Sequence, residues 1–237
     1  MISFSSLTKT GGRDVNEDCI LAYEESGRFL FALADGLGGH GRGDAASKLV
    51  TERCLEVFKD GGGIEDCFLD AQNSLLEEQR RLKAPEELKT TLTLLIIADD
   101  KACWGHAGDS RIYRFEDGKL TDQTTDHSVP QMLALAGEIR QKDIRHHEDR
   151  NRLLRALGIE WDGKICDVSE STGIQAGDSF LLCSDGFWEW IVEKRMSHLL
   201  KSSGSPEQWL SLMETEVLHN SAGKEMDNYS AITVFVR

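Results

Sequence analysis

Short apolar runs recur along the chain, most of them ending in an acidic residue beside a glycine. Residues 29–34 (FLFALA) are continuously apolar, shorter than an ordinary helix, and end in Asp35-Gly36. This predicts a strand covered on both faces. Residues 91–98 form a second run with several β-branched members. Residues 102–107 follow it after Asp99-Asp100-Lys101, a hairpin pattern that closes in Gly108-Asp109. Residues 112–115 then turn at Glu116-Asp117-Gly118. Residues 179–184 lead into Asp185-Gly186, and residues 231–236, preceded by Asp227-Asn228, predict a closing strand.

Between these strands the period changes to that of a helix. Leu49, Val50, Cys54, Val57 and Phe58 fall on one face, and Phe68, Ala71, Leu75 and Leu82 on another, with Gly61-Gly62-Gly63 between the two groups. Trp209, Leu210, Met213 and Val217 predict a late helix, with Pro206 in its first turn. Helices in pairs between blocks of hairpins, without strict βαβ alternation, predict an α+β fold: a β-sandwich of two antiparallel sheets flanked by pairs of helices. Residues 130–152 are polar and weakly periodic, and predict short helices in a mobile excursion. With three prolines, no repeat and no low-complexity tract, residues 1–237 read as one domain.

Hydrophobic residues make up 40% of the 237, enough for a core of ordinary size. The formal net charge of −14 disfavours nucleic acid and anionic membranes as partners. No apolar run approaches 18 residues and residues 1–13 hold no signal-like core, so neither a membrane span nor a leader is expected. The six cysteines include no C-x-x-C pair and fall in apolar segments. A reducing cytoplasm and a monomer are the expectation.

Asp35, Asp109, Asp185 and Asp227 each abut an apolar segment, and Glu17-Asp18 precede another. One Asp-Gly is an ordinary turn. Several brought to one edge would repel each other and lose hydration, costs that a divalent cation relieves. An all-oxygen donor set selects Mg²⁺ or Mn²⁺ over zinc.

The motifs Arg13…Asn16-Glu17-Asp18, Asp35-Gly36-Leu37-Gly38-Gly39-His40, Thr90-Thr91-Leu92, Gly108-Asp109-Ser110-Arg111, Asp126-His127-Ser128, Leu154-Arg155-Ala156-Leu157-Gly158, Ser184-Asp185-Gly186 and Asp227-Asn228 come in this order. Together they resemble the bacterial branch of the metal-dependent protein phosphatase family, the protein phosphatase 2C type. The resemblance implies that Asp35 bridges two Mn²⁺ or Mg²⁺ ions. Glu17 and the Gly36 carbonyl would hold one ion, and Asp185 and Asp227 the other. Asp109, with Asp185, would support a third. Asp18 would orient the attacking water and Arg13 would grip the phosphate. The implied reaction is hydrolysis of phosphoserine or phosphothreonine by metal-activated water, on phosphorylated proteins that are a Ser/Thr kinase or its targets. Eukaryotic relatives carry His directly after the Asp-Gly, where this chain has Leu37. His40 is therefore a candidate general acid, with a structural hydrogen bond in the glycine-rich turn as the plainer role.

Gly36-Leu37-Gly38-Gly39-His40-Gly41 also fits G-x-G-x-x-G, but a dinucleotide fold needs an acid at the end of a second strand about 20 residues on, where this chain reads as helix. No cysteine is followed six positions later by arginine, which excludes a cysteine phosphatase signature. His146-His147 reads as an exposed pair, and Trp188, Trp190 and Trp209 as core anchors. Two other functions stay open: a phosphoprotein-binding domain without catalysis, and a hydrolase of a small phosphate ester.

Overall fold

The computed structural model of the chain describes residues 1–38, 42–84, 87–160 and 163–237. One sheet is built from β1 (Ile2–Lys9), β6 (Arg111–Glu116), β7 (Lys119–Gln123), β10 (Ser179–Cys183) and β11 (Tyr229–Val236), in the order β1-β11-β10-β6-β7. The second holds β2 (Asp18–Glu25), β3 (Arg28–Asp35), β4 (Leu92–Ala98), β5 (Lys101–Ala107) and β8 (Asp167–Val168), in that order, with β9 (Thr172–Gly173) also paired to β5. Every pairing between these strands is antiparallel.

The sheets face each other across one apolar layer. Leu182 pairs with Ile112 on one side and Ile232 on the other, and this row packs with Phe31 and Leu95 of the opposite sheet. Two helices, α1 (Gly43–Lys59) and α2 (Ile64–Leu82), cover the outer face of the β2–β5 sheet through Val50, Cys54, Phe58, Phe68, Ala71 and Leu75. On the other side α5 (Glu193–Lys201) and α6 (Pro206–Asn220) cover the β10–β11 sheet through Met196, Trp209, Met213 and Val217. The layers are thus α-β-β-α. The central strands are buried on both faces, which is why they read as unbroken apolar runs.

The turn expected at residues 116–118 is the β6–β7 hairpin, whereas β1, β8, β9 and α5 carry no expectation from the sequence pattern. β1 is an edge strand with a half-exposed, alternating pattern, ISFSSLTK, and no apolar run. Met196, Leu199 and Leu200 in α5 carry a helical spacing that was there to be read. Residues 130–152 are better anchored than a mobile excursion. They contain α3 (Val129–Leu135), capped by Ser128, and a 3-10 turn (Gln141–His146) that buries Ile144 and Arg145. His146 is exposed but His147 is half-buried, and Trp188 and Trp209 are buried whereas Trp190 is half-buried.

Candidate metal centre

Both sheets deliver carboxylates to the same end of the sandwich. Asp18 opens β2 and Asp35 closes β3, and the two are directly paired across that ladder. Asp109 lies in the turn where the chain leaves β5 for β6. Asp185 is the first residue of α4 (Asp185–Trp188), immediately after β10, and Asp227 precedes β11. Glu17 and Arg13 come from the loop before β2. His40 lies outside the described residues.

The sequence around each acid explains its placement. The Asp35 amide donates to Thr91 Oγ1 at 3.0 Å, and its carbonyl accepts from the Thr91 amide at 2.8 Å and from Thr90 Oγ1 at 2.9 Å. The Thr90-Thr91 pair therefore clamps the end of β3. Ser184 Oγ donates to Asp18 Oδ2 at 2.9 Å and accepts the Ser230 amide at the same distance, tying β2 to the other sheet. Asn228 accepts the Glu17 amide at 2.8 Å and donates to the carbonyls of Thr10 and Val15, both at 2.9 Å. One side chain thus pins the loop that carries Arg13 and Glu17. Trp188 Nε1 donates to the Asp109 carbonyl at 3.0 Å. Its ring is in turn covered by the buried Arg111 guanidinium, 3.5 Å from the ring centre, which forks to Asp126 at 2.8 and 2.7 Å.

The glycines have a specific task here. A Cβ on Gly38 would stand 1.7 Å from Glu17 Oε2, and one on Gly186 would stand 2.1 Å from the Asn228 carbonyl oxygen. The glycine-rich turn therefore closes around a carboxylate rather than around a pyrophosphate.

The acids crowd each other. Burial, followed by the charge of Asp18, pushes the Asp35 carboxyl well above the usual range. Burial and Asp185 do the same to Asp109. Burial raises Asp18 to about 7. Burial and Asp227 raise Asp185 to about 6, although it accepts a side-chain hydrogen bond from Asp35. Glu17 is raised by burial and by Asp44. Without positive charge nearby, these groups keep protons they would lose in water. Arg13 Nη2 donates to Asp227 at 2.8 Å, but that guanidinium is largely exposed.

The same residues fit divalent cations. The donors are all oxygen, the Arg13 guanidinium paired with Asp227 is largely exposed, and Asp18 Oδ1 is buried without a hydrogen-bond partner among the described residues. A second group of suitable residue types, His106, His127 and Asp167, is arranged differently. The two rings stack in parallel at 4.4 Å. His127 Nδ1 accepts the Gly108 amide at 3.2 Å, and its Nε2 lies 3.0 Å from Asp167. That fixes the Nε2–H tautomer and leaves no lone pair there for a metal.

The family model for protein phosphatase 2C matches residues 11–226. The chain belongs to the protein phosphatase 2C family. The serine/threonine phosphatase stp of Listeria welshimeri is 32% identical over 215 residues, 86% of this chain and 83% of the relative. Among solved structures, serine/threonine phosphatase Stp1 from Staphylococcus aureus superposes with a TM-score of 0.89 at 25% identity, covering 100% of this chain and 96% of that one. The catalytic domain of PstP in complex with two manganese ions superposes with a TM-score of 0.82 at 26% identity, covering 99% and 97%. Protein phosphatases 2C are metal-dependent hydrolases, and the α+β sandwich expected from the sequence is the architecture of these relatives.

Some residues with a stake in this phosphatase site carried no sequence signal of their own. Glu189 is one helical turn beyond Asp185. Burial and the Asp185 charge push it to about 8, and it pairs with Arg150 at 2.9 Å. Asn228 stands inside a motif and Trp188 reads as a core anchor, but their bonds to the Glu17 loop and to Asp109 depend on contacts between distant segments.

Proposed function

We propose that the chain is a Mn²⁺- or Mg²⁺-dependent serine/threonine protein phosphatase that hydrolyses phosphoserine and phosphothreonine. The observation that carries this reading is the meeting of Asp35 and Asp185, from opposite sheets, in one mutually repelling cluster. In this reading Asp35 would serve both of two cations, Glu17 and the Gly36 carbonyl would hold one, Asp185 and Asp227 would hold the other, and Asp109, with Asp185, would support a third. When bound, the cations supply Lewis acidity that polarises the phosphoryl oxygens and acidifies water.

The chain's own groups do the rest. Asp18 offers Oδ1 to a water while Ser184 holds Oδ2, so the carboxylate is oriented to position that water. Arg13 exchanges its contact with Asp227 for the phosphate oxygens, to which a guanidinium fork is suited. His40 remains the candidate proton donor to the leaving alkoxide. The substrates are phosphorylated proteins, a Ser/Thr kinase or its targets, met by a monomer in the cytoplasm.

The test is phosphate release from a phosphothreonine peptide with Mn²⁺. Release that stops in EDTA and returns with Mn²⁺ is expected. Equal release in EDTA would refute the reading.

A further inference from the structure

Among the buried hydrogen-bond donors outside the carboxylate cluster that lack an acceptor among the described residues, alongside Ser3 Oγ and Arg114 Nε, are Arg145 Nη1 and Trp190 Nε1, which lie near each other. Both side chains line the same hollow of about 290 Å³, which α6 closes with Asn220 and the following Lys224 completes. Buried donors left this way are costly unless something supplies an acceptor.

The neighbouring acids do not supply it. Glu193 accepts from the other terminal nitrogen of Arg145. Glu216 receives the fork of Arg195 at 2.8 to 2.9 Å. Glu189 is engaged by Arg150 at 2.9 Å. Lys224 Nζ lies 4.6 Å from the centre of the Trp190 ring and makes no ion pair among the described residues. The His146 ring leans on the same indole at 6.5 Å. Asn220 Nδ2 donates to the Trp190 carbonyl at 2.7 Å and so fixes the indole in place. The hollow is therefore lined by two residues whose buried donors lack an acceptor among the described residues, on a rim where each acid is already engaged. Arg145 is itself only 6% exposed, so its guanidinium is held by the fold.

The hollow also adjoins the metal centre. The Glu189 amide donates to the Asp185 carbonyl at 2.9 Å, one helical turn away, and Glu189 forms part of the wall. We propose that this hollow is an oxyanion subsite: Arg145, Trp190 and Lys224 hold a side-chain carboxylate of the same phosphoprotein whose phosphoester is cleaved. The proposal rests on the phosphatase reading for its substrate, but the subsite's affinity for an oxyanion does not.

The experiment has two arms, using the full chain and the variants Trp190→Phe, which removes the indole N–H donor together with part of the ring, and Lys224→Gln. In the first, orthophosphate is titrated calorimetrically into protein in EDTA, where the uncompensated carboxylates repel it. One binding site is expected, weakened about tenfold in each variant, the worth of one charge-assisted hydrogen bond. In the second, kcat/KM with Mn²⁺ is compared for two phosphothreonine peptides that differ by Glu or Gln near the phosphothreonine, scanned over neighbouring positions. A preference for Glu of about tenfold is expected at one position and is lost in the variants, while hydrolysis of p-nitrophenyl phosphate is unchanged. Phosphate binding without any Glu preference would mean that free phosphate, not the substrate, occupies the hollow, and would overturn the proposal. So would absence of phosphate binding, which leaves water as the acceptor, or a Glu preference that survives in both variants. Failure to hydrolyse any phosphoester would instead refute the phosphatase reading and leave the first arm standing.

Discussion

Asp18 and Asp35 stand directly opposite each other at the end of the β2–β3 ladder. Like charges directly opposite on a sheet destabilise it. Ser184 holds one oxygen of Asp18, and its other oxygen has no partner among the described residues. The fold accepts this pair because its strands are anchored elsewhere, by Thr90-Thr91 on β3 and by the apolar layer between the sheets. The repulsion becomes the driving force for taking up cations.

A pH dependence follows for the metal-free protein. Asp18 at about 7 and Glu189 at about 8 hold protons in the folded state that the unfolded chain has already lost. Each contributes stability at low pH that is lost as pH rises through its folded pKa, at up to ~1.4 kcal/mol per pH unit. His106, lowered to about 4 by burial, acts in the opposite sense, but only below the unfolded histidine value of about 6.5. Between about pH 6.5 and 8 the carboxyls therefore act unopposed. In EDTA, Tm should fall across this window, and saturating Mn²⁺ should flatten the slope because cations replace the protons. An EDTA profile that rises across the window would contradict the carboxyl assignments.

Gly38 should be intolerant of any side chain, because a Cβ there meets Glu17 Oε2. Gly38→Ala should lower phosphatase activity by ~10²-fold, the usual cost of moving a reactive group by about an ångström. The fold should survive, since Gly38 lies in an exposed turn. Circular dichroism and Mn²⁺ titration would separate the two effects. Activity within twofold of the parent would show that the Glu17 position does not matter.

Asn228→Ala should damage stability and activity together. It removes an acceptor from the Glu17 amide and donors from two carbonyls. At ~1 kcal/mol per net hydrogen bond the loss is about 2–4 kcal/mol, or roughly 5–15 °C in Tm. An exposed control such as Leu69→Ala should change neither. An unchanged Tm for the Asn228 variant would mean that the loop holding Arg13 is fixed by other contacts.

Much of this arrangement is legible in the sequence because the central strands are covered on both faces. Residues 29–34 and 179–184 read as strands without help, and their terminal acids mark the site. Edge strand β1 is not legible, since half of its side chains face solvent and its pairing with β11 joins residues more than 200 positions apart. The same distance hides Asn228, whose bonds reach back to Thr10, Val15 and Glu17, and Glu189, which looks like one more surface acid until burial and Asp185 act on it. Residues 130–152 are harder for another reason: their polar sequence conceals that Ile144 and Arg145 are buried.

The central claim is that Asp35 joins both sheets' carboxylates into one cation-binding, phosphate-cleaving centre. Its most direct test is to measure, on Asp35→Asn and the parent, bound Mn²⁺ per chain by calorimetry together with phosphate release from a phosphothreonine peptide. The account expects at least two Mn²⁺ in the parent, fewer or much weaker sites in the variant, and release reduced by at least ~10²-fold. Equal Mn²⁺ binding and equal release in the two proteins would contradict it.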